Sequence, residues 1–353
     1  MNLRGKAEAE ADADATAAVQ GKLDAERKAH AATRRQLLAR TDRVGELERL
    51  MARYVAINPG DMAIPKWITP RPQRNGPRRA TALLVLSDLH LDEVVDRHEM
   101  AGLNAYDREI ARARLARTVE SVVKLSSTYV AGVHWDGLVV ALNGDIITGD
   151  IHDELARTNV APVPASIAYW VPKLASALTH LADTFGRVHV PCVDGNHDRT
   201  YKQIPAKKRA ESSNAWVIFN WLADLCRDDE RITFAITTAE SQVYPIYETT
   251  FHQVHGDAFR SAGGVGGLYP SLLKYLLRMD HLWSSHGKAI DMHLLGHWHQ
   301  LIFGPNFTVN GSTKGYDEYA KRSGFGFERP QQALMVVTPE NGVTQRMPVF
   351  CDG

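Results

Sequence analysis

The stretch VHVPCVDGNHD, residues 188–198, decides how this chain is read. Its first six residues form a short apolar run, the pattern of a strand buried on both faces. Pro191 inside that run predicts an edge strand or a bulge, because proline cannot donate to a ladder. A glycine follows two residues after the run, and then Asn196, His197 and Asp198, three side chains carrying oxygen or nitrogen donors. Four other segments repeat this layout of an apolar run ending in donors: Ser87-Asp88-Leu89-His90, Asn143-Gly144-Asp145, Val254-His255-Gly256 and Gly296-His297-Trp298-His299. Working outward, residues 82–86 and 137–142 also read as buried strands. Helices near 107–127 and 167–185 are long enough to serve as crossovers between parallel strands. Later strands are expected at 232–236, 243–247, 250–254, 292–295, 300–303, 306–309, 333–338 and 343–349, with helices near 213–226 and 268–280. The pattern predicts an α/β domain of two packed sheets flanked by helices.

Asp88, His90, Asp145, Asn196, His255, His297 and His299 supply seven oxygen and nitrogen donors without a thiolate. That is enough for two divalent cations sharing one carboxylate, and two metals about 3.5–4 Å apart are the arrangement that clamps and hydrolyses phosphate esters. Asp88 and His90, like His297 and His299, are two residues apart, so in extended backbone each pair would point to one face. Gly144, Gly195 and Gly296 each precede a donor and let the backbone turn as it leaves a strand. In open α/β sheets, sites form beyond the carboxyl ends of the strands, where these donors fall.

The five motifs, in this order and at these strand ends, resemble the calcineurin-like metallophosphoesterase superfamily over roughly residues 81 to 312. The resemblance implies a four-layer α/β/β/α sandwich. It assigns Asp88, His90 and His299 to a first metal, Asn196, His255 and His297 to a second, and Asp145 to both. It favours manganese, while mixed carboxylate, amide and imidazole donors also suit iron or zinc. It further implies hydrolysis by a water bridging the metals, with His197 as general acid, oriented by Asp198 or Thr148. The Ser/Thr protein phosphatases of this superfamily follow the bridging aspartate with an Asp-Arg pair and end their third motif in glutamate. Here the chain reads Asp145-Ile-Ile-Thr-Gly-Asp150 and ends that motif in Asp198. The branch of DNA-repair exonucleases and assorted phosphodiesterases fits better, and the helical arm before the domain looks like that of phosphoesterases encoded by bacteriophages. Of the histidines outside the motifs, His152 is the best placed, because it closely follows Asp145.

The 353 residues have no net formal charge, so no global field draws the protein to nucleic acid or membrane. A local run does carry charge: Arg199, Lys202, Lys207, Lys208 and Arg209 follow the third motif with no acid until Glu211. It is expected to track a phosphate backbone into the site, making DNA or RNA the leading substrate. The alternatives are a small nucleotide or other metabolite and, in another class, a non-catalytic interaction protein. Three widely spaced cysteines argue against a disulfide framework and for a reducing compartment. The N-terminus lacks the apolar core of a signal peptide, and no apolar run approaches the roughly 18 residues of a membrane span, so a cytoplasmic protein is expected. Residues 1–56 have helix-forming composition, with a heptad seam at Leu37, Val44, Leu47, Met51 and Tyr54 that would support a homo-oligomer. Residues 57–80, rich in proline and basic, are expected to be an extended linker, and residues 81–353 the metallophosphoesterase domain. The glycine-rich run from Ser261 to Gly267 reads as a loop near His255.

Overall fold

The apolar run at residues 188–193 is a strand in the interior of a six-stranded sheet, not at its edge. The computed structural model describes residues 28, 34, 64–68, 78–203, 205, 207–261 and 267–352. The chain falls into two units, residues 1–58 and 59–353. The heptad seam and residues 262–266 of the glycine-rich run lie outside the described residues.

The second unit opens with a 3-10 turn (Lys66–Ile68), then β1 (Arg79–Leu86), α1 (Arg108–Lys124), a π-helical turn (Leu125–Tyr129) and β2 (His134–Asn143). Next come α2 (Asp153–Thr158), α3 (Val163–Phe185), β3 (Val188–Val193), α4 (Asn214–Leu225) and β4 (Ile232–Ile236). They are followed by β5 (Ser241–Ile246), β6 (Thr249–Val254), α5 (Tyr269–Ser285), β7 (Met292–Leu295), β8 (Ile302–Phe303) and β9 (Phe307–Val309). The chain closes with α6 (Glu318–Arg322), β10 (Gln331–Thr338) and β11 (Gly342–Phe350). One sheet runs β11-β10-β1-β2-β3-β4 and the other β5-β6-β7-β9-β8. Strands β1 to β4 are mutually parallel, as are β6, β7 and β9.

Sequence chemistry accounts for the main helices. Asp107 caps α1 by accepting from the Ile110 amide at 2.8 Å, and Ser213 does the same for α4 with the Trp216 amide at 3.1 Å. In α3, Trp170, Leu174, Leu178, Leu181 and Phe185 repeat at intervals of three and four, and all are buried. That stripe joins Ala82, Leu84, Leu138 and Val140 in one apolar cluster, so three helices cover one face of the first sheet. Leu83, Val85, Val139 and Ala141, the alternate residues, pack with Ile246, Phe251 and Leu294 of the second sheet. Leu272 and Leu276 of α5 pack on Val254, Leu295 and Val309. Period-two alternation in β1 and β2 thus separates the apolar side chains into two cores.

Pro191 stays in the interior because a side chain serves the ladder around it. The partnering of β2 with β3 runs through Leu138, Val139, Leu142 and Asn143 and skips the residues opposite Val190 and Pro191. The buried Gln253 amide donates to the Leu142 carbonyl at 2.8 Å and the Pro191 carbonyl at 3.3 Å. The expected linker also needs correction. Ile68 is fully buried in the core between the sheets, its carbonyl accepts from the Tyr247 amide at 2.8 Å, and the Trp67 ring lies against Gly137. Residues 64–68 therefore belong to the folded unit rather than to a spacer. Ile68→Ala should cost about 2–5 kcal/mol, as other buried large-to-small changes do. A chain beginning at Arg78 should unfold at lower urea than one beginning at Pro59, and equal midpoints would show that the turn adds no stability. No helix among the described residues is long and apolar enough to cross a membrane.

Candidate metal centre

The parallel registers bring the motifs together. Leu86 pairs with Leu142 and Asn143 with Val193, so β1, β2 and β3 end level. In the second sheet Gln253 pairs with Leu294, which levels β6 and β7. Asn143 ties the two sheets at this end: its side-chain amide donates to the Val254 carbonyl at 3.0 Å, and its carbonyl lies 2.8 Å from His255 Nδ1. The loops beyond the strands continue to pair, with the Asp88 amide on the Gly144 carbonyl and the His90 amide on the Asp145 carbonyl, both at 3.1 Å.

The donors converge for a different reason from strand alternation. Asp88, His90, Asp145, His297 and His299 all have left-handed backbone, with φ of 53°, 46°, 51°, 68° and 53°. They make up five of the nine non-glycine residues with positive φ among the described residues. Each such residue costs about 1–3 kcal/mol and persists only where its surroundings over-determine it. Strain concentrated on five donors singles this cluster out as the candidate functional centre.

Two groups of donors result. Asp88, His90 and His299 form one, and Asp145, His255 and His297 the other, with the donor atoms of each group within 4.8 Å of one another. In the first, His90 Nε2 and His299 Nε2 face each other at 3.0 Å, and Asp88 Oδ1 lies 3.4 Å from His299 Nε2. In the second, Asp145 Oδ2 and Asn196 Oδ1 each lie 3.1 Å from His255 Nε2. The same Asp145 oxygen is 3.8 Å from His90 Nε2, so one carboxylate stands between the groups.

Tautomer logic tests whether a cation fits. His255 Nδ1 is committed as donor to the Asn143 carbonyl, which leaves Nε2 facing two oxygen acceptors. Only a proton or a metal ion at Nε2 makes that contact attractive. In the metal-free protein a proton serves: burial opposes it, yet Asp145, with help from Asp88 and Asp257, holds His255 up to about 10. Burial likewise opposes ionisation of Asp145, but His255 and its neighbours keep its carboxyl well below the ordinary carboxylate range. Burial pushes His297 down to about 4, which keeps it neutral and able to ligate. The donor set fits divalent cations.

His197 stands beside the first group, its ring 4.7 Å from that of His90. Its Nδ1 lies 3.0 Å from the backbone carbonyl of Thr148, so Nδ1 carries the proton and Nε2 is the exchangeable position. Burial pushes it down to about 3. Thr148 thus meets His197 through its backbone, while its hydroxyl donates to Glu93 Oε2 at 3.1 Å. Asp198 instead accepts from the amides of Asp145, Gly195 and Ile146 at 2.7, 3.0 and 3.2 Å. Burial and the nearby Asp145 charge push it up to about 7. His152 is exposed, with its ring 5.6 Å from that of His197.

The basic run does not form one strip. Arg199 donates to the carbonyls of Asn196, Tyr201 and Lys202, and so braces its own loop. Lys202 pairs with Asp153 at 2.5 Å on the surface. The Arg209 side chain is 13% exposed and points inward to Asp194 and Asp257 at 2.8 and 3.0 Å. Only Lys207 and Lys208 are exposed and make no ion pair among the described residues.

Several residues at the site carry no motif in the sequence. Asp92 accepts from Arg108, Ser166 and the Trp170 indole, fastening α1 and α3 to the first motif. Ser312 donates to the Asp88 carbonyl at 2.7 Å, and Asn310 reaches Ser87 at 2.9 Å. Glu93 and the buried Lys314 form an ion pair of 2.8 Å beside His90. The one signal available was a lysine in a run, residues 307–314, otherwise free of charge.

No protein-family model matches the chain, and no curated protein matches it. Among solved structures, wild-type Vps29 complexed with Zn2+ from Entamoeba histolytica is 14% identical, with 76% of this chain and 99% of that one covered at a TM-score of 0.27. The sulfate thiohydrolase SoxB of Thermus thermophilus, in complex with glycerol, is 12% identical, with 79% and 58% covered at a TM-score of 0.31. Likeness this slight says nothing of activity. What the site defines by itself is an α/β protein whose two sheets end at two candidate metal clusters, with Asp145 of one approaching His90 of the other.

Proposed function

We propose that this chain is a metal-dependent phosphoesterase of the calcineurin-like kind, built as a four-layer α/β/β/α sandwich and hydrolysing phosphodiesters. The observation that carries the reading is Asp145, whose Oδ2 lies 3.1 Å from a histidine of one cluster and 3.8 Å from a histidine of the other. Asp88, His90 and His299 would hold a first cation, Asn196, His255 and His297 a second, with Asp145 common to both. Manganese is the preferred metal. When bound, the pair supplies Lewis-acid polarisation of phosphoryl oxygens and neutralises their charge.

The chain's own residues do the rest. The clusters fix the phosphoryl group, and the Thr148 carbonyl holds the His197 ring so that Nε2 can pass a proton to the leaving oxygen. Manganese-dependent hydrolysis of bis(p-nitrophenyl) phosphate, lost with chelator, tests the reading; absence of hydrolysis with every divalent metal tried would favour a non-catalytic binding protein. His197→Gln should retain its metals and lose about 10²–10⁴-fold in rate, the usual contribution of a general acid. Loss of metal in that variant would place His197 among the ligands.

For the substrate we propose nucleic acid. The support is Lys207 and Lys208, the two exposed cations of the run after Asn196 that make no ion pair among the described residues. Cleavage of DNA or RNA should fall steeply with salt, and Lys207→Ala with Lys208→Ala should flatten the log–log slope by roughly 0.9 for each phosphate no longer neutralised. Turnover of the small ester should stay unchanged. If polymer cleavage is untouched or absent, a small nucleotide becomes the substrate.

A further inference from the structure

Behind each donor cluster lies a cation, buried in one case and partly buried in the other, that touches no candidate ligand itself. Lys314 is 3% exposed and bonds Glu93 Oε1 at 2.8 Å and Asp317 Oδ2 at 2.5 Å. The other oxygen of Glu93 lies 3.3 Å from His90 Nδ1, which has no hydrogen-bond partner among the described residues, and accepts from Thr148. Lys314 also belongs to the segment whose Ser312 and Thr313 hydroxyls hold the carbonyls of Asp88 and Leu89 at 2.7 and 3.3 Å. Through Glu93 and through its own segment, Lys314 thus reaches His90 and Asp88 of the first cluster.

Arg209 occupies the matching place behind the second. Its Nε donates to Asp194, two residues before Asn196, and a terminal nitrogen donates to Asp257, two residues after His255. The loops after β3 and β6 are joined by this one side chain at the point where Asn196 Oδ1 approaches His255 Nε2 at 3.1 Å. Arg209 meets Asp194 Oδ2 and Asp257 Oδ1, and the remaining oxygens, Asp194 Oδ1 and Asp257 Oδ2, have no hydrogen-bond partner among the described residues.

We propose that Glu93 with Lys314 and Arg209 are positioning residues that set the affinities of the two metal sites separately, the first pair for the Asp88-His90-His299 site and Arg209 for the Asn196-His255-His297 site. This rests on the metallophosphoesterase reading. The physical ground is that a partner on the far side of a ligand fixes its orientation and basicity, and losing such a partner typically costs about 10–100-fold in metal affinity. A guanidinium can bridge two carboxylates where an ammonium offers a compact point charge, so Arg209→Lys should restore only part of the effect.

The test is Mn2+ titration of the full metal-free chain, followed by calorimetry and by the electron paramagnetic resonance of free Mn2+. Wild type should bind two ions. Arg209→Gln should weaken one site about 10–100-fold and leave the other as it was. Glu93→Gln combined with Lys314→Met and Asp317→Asn, which removes the buried charges of Glu93, Lys314 and Asp317 together, should weaken the opposite site, so that each variant serves as control for the other. Combining Arg209→Gln with Asp194→Asn and Asp257→Asn covers the event that unpaired carboxylates prevent folding, and it should show the same selective loss. Two unaltered sites in every folded variant, or an equal fall in both sites, would overturn the inference while leaving the phosphoesterase reading intact. Wild type that binds no pair of ions would overturn both.

Discussion

Asp145→Asn should abolish binding of both cations at micromolar metal and reduce turnover by at least about a thousandfold, since metal stabilisation of a phosphoryl transition state is worth several kcal/mol. The substitution keeps size and shape but replaces an anionic bridge with a neutral amide. It also costs one acceptor, because the amide nitrogen must replace either Oδ1, which accepts from the His197 amide at 2.7 Å, or Oδ2, which faces His255 Nε2 at 3.1 Å. Asp145 has one oxygen near a histidine ring of each cluster, so His299→Ala should remove one ion where Asp145→Asn removes two. Metal content by mass spectrometry checks this directly; one ion retained in Asp145→Asn would show that the clusters do not share that carboxylate.

The same variant has a pH signature without metal. His255, held up to about 10 in the folded chain, lies above its ordinary value of 6.5. A group raised in this way contributes stability that is fully present below the unfolded value and is lost as pH rises through the folded one. The metal-free wild type should therefore lose stability between about pH 6.5 and pH 10. Asp145→Asn removes the main charge that raises His255, so its melting temperature should vary less over that window. Equal slopes for the two proteins would mean that the proton on His255 is not held by Asp145.

How much of this could be read from the sequence depends on the distance between partners along the chain. The strand at Ile232–Ile236 and the order of the motifs were legible because local apolar patterning and a following glycine are adjacent in sequence. The interior place of Pro191 was not, since the compensating amide belongs to Gln253, 62 residues away. Lys314 and Glu93 are 221 residues apart, and neither sits in a motif, so their pairing is a product of topology. Arg209 was misleading for a related reason. A basic residue in a basic run looks solvated until the fold places Asp194 and Asp257 opposite it. The left-handed backbone at five donors has no sequence marker either, because aspartate and histidine are not confined to that conformation. Ile68 was hidden by its setting, a single buried isoleucine in a proline-rich segment that otherwise resembles a spacer.

Gly195→Ala should disable the centre by steric means alone. A β-carbon at this position would lie 2.2 Å from Asp145 Oδ1 and 2.3 Å from the Asp145 amide nitrogen. Neither is the far end of a flexible chain: the carboxylate is held by the His197 amide, and the amide nitrogen is held by Asp198. Relief requires the third motif to move away from the second, which would separate Asn196 from Asp145. Overpacking of this kind costs about 1–3 kcal/mol or more in stability, and a displacement of about 1 Å can cost roughly a hundredfold in rate. Gly186→Ala is the control. It caps α3 with φ of 74°, nothing lies within 4 Å of its added carbon, and it precedes β3 whereas Asn196 follows it. That change should cost about 1 kcal/mol through left-handed backbone and leave metal binding and rate intact. The two variants should therefore diverge in metal content far more than in melting temperature. If Gly195→Ala binds two ions with wild-type affinity, close approach of the second and third motifs is not what holds Asp145 between the clusters.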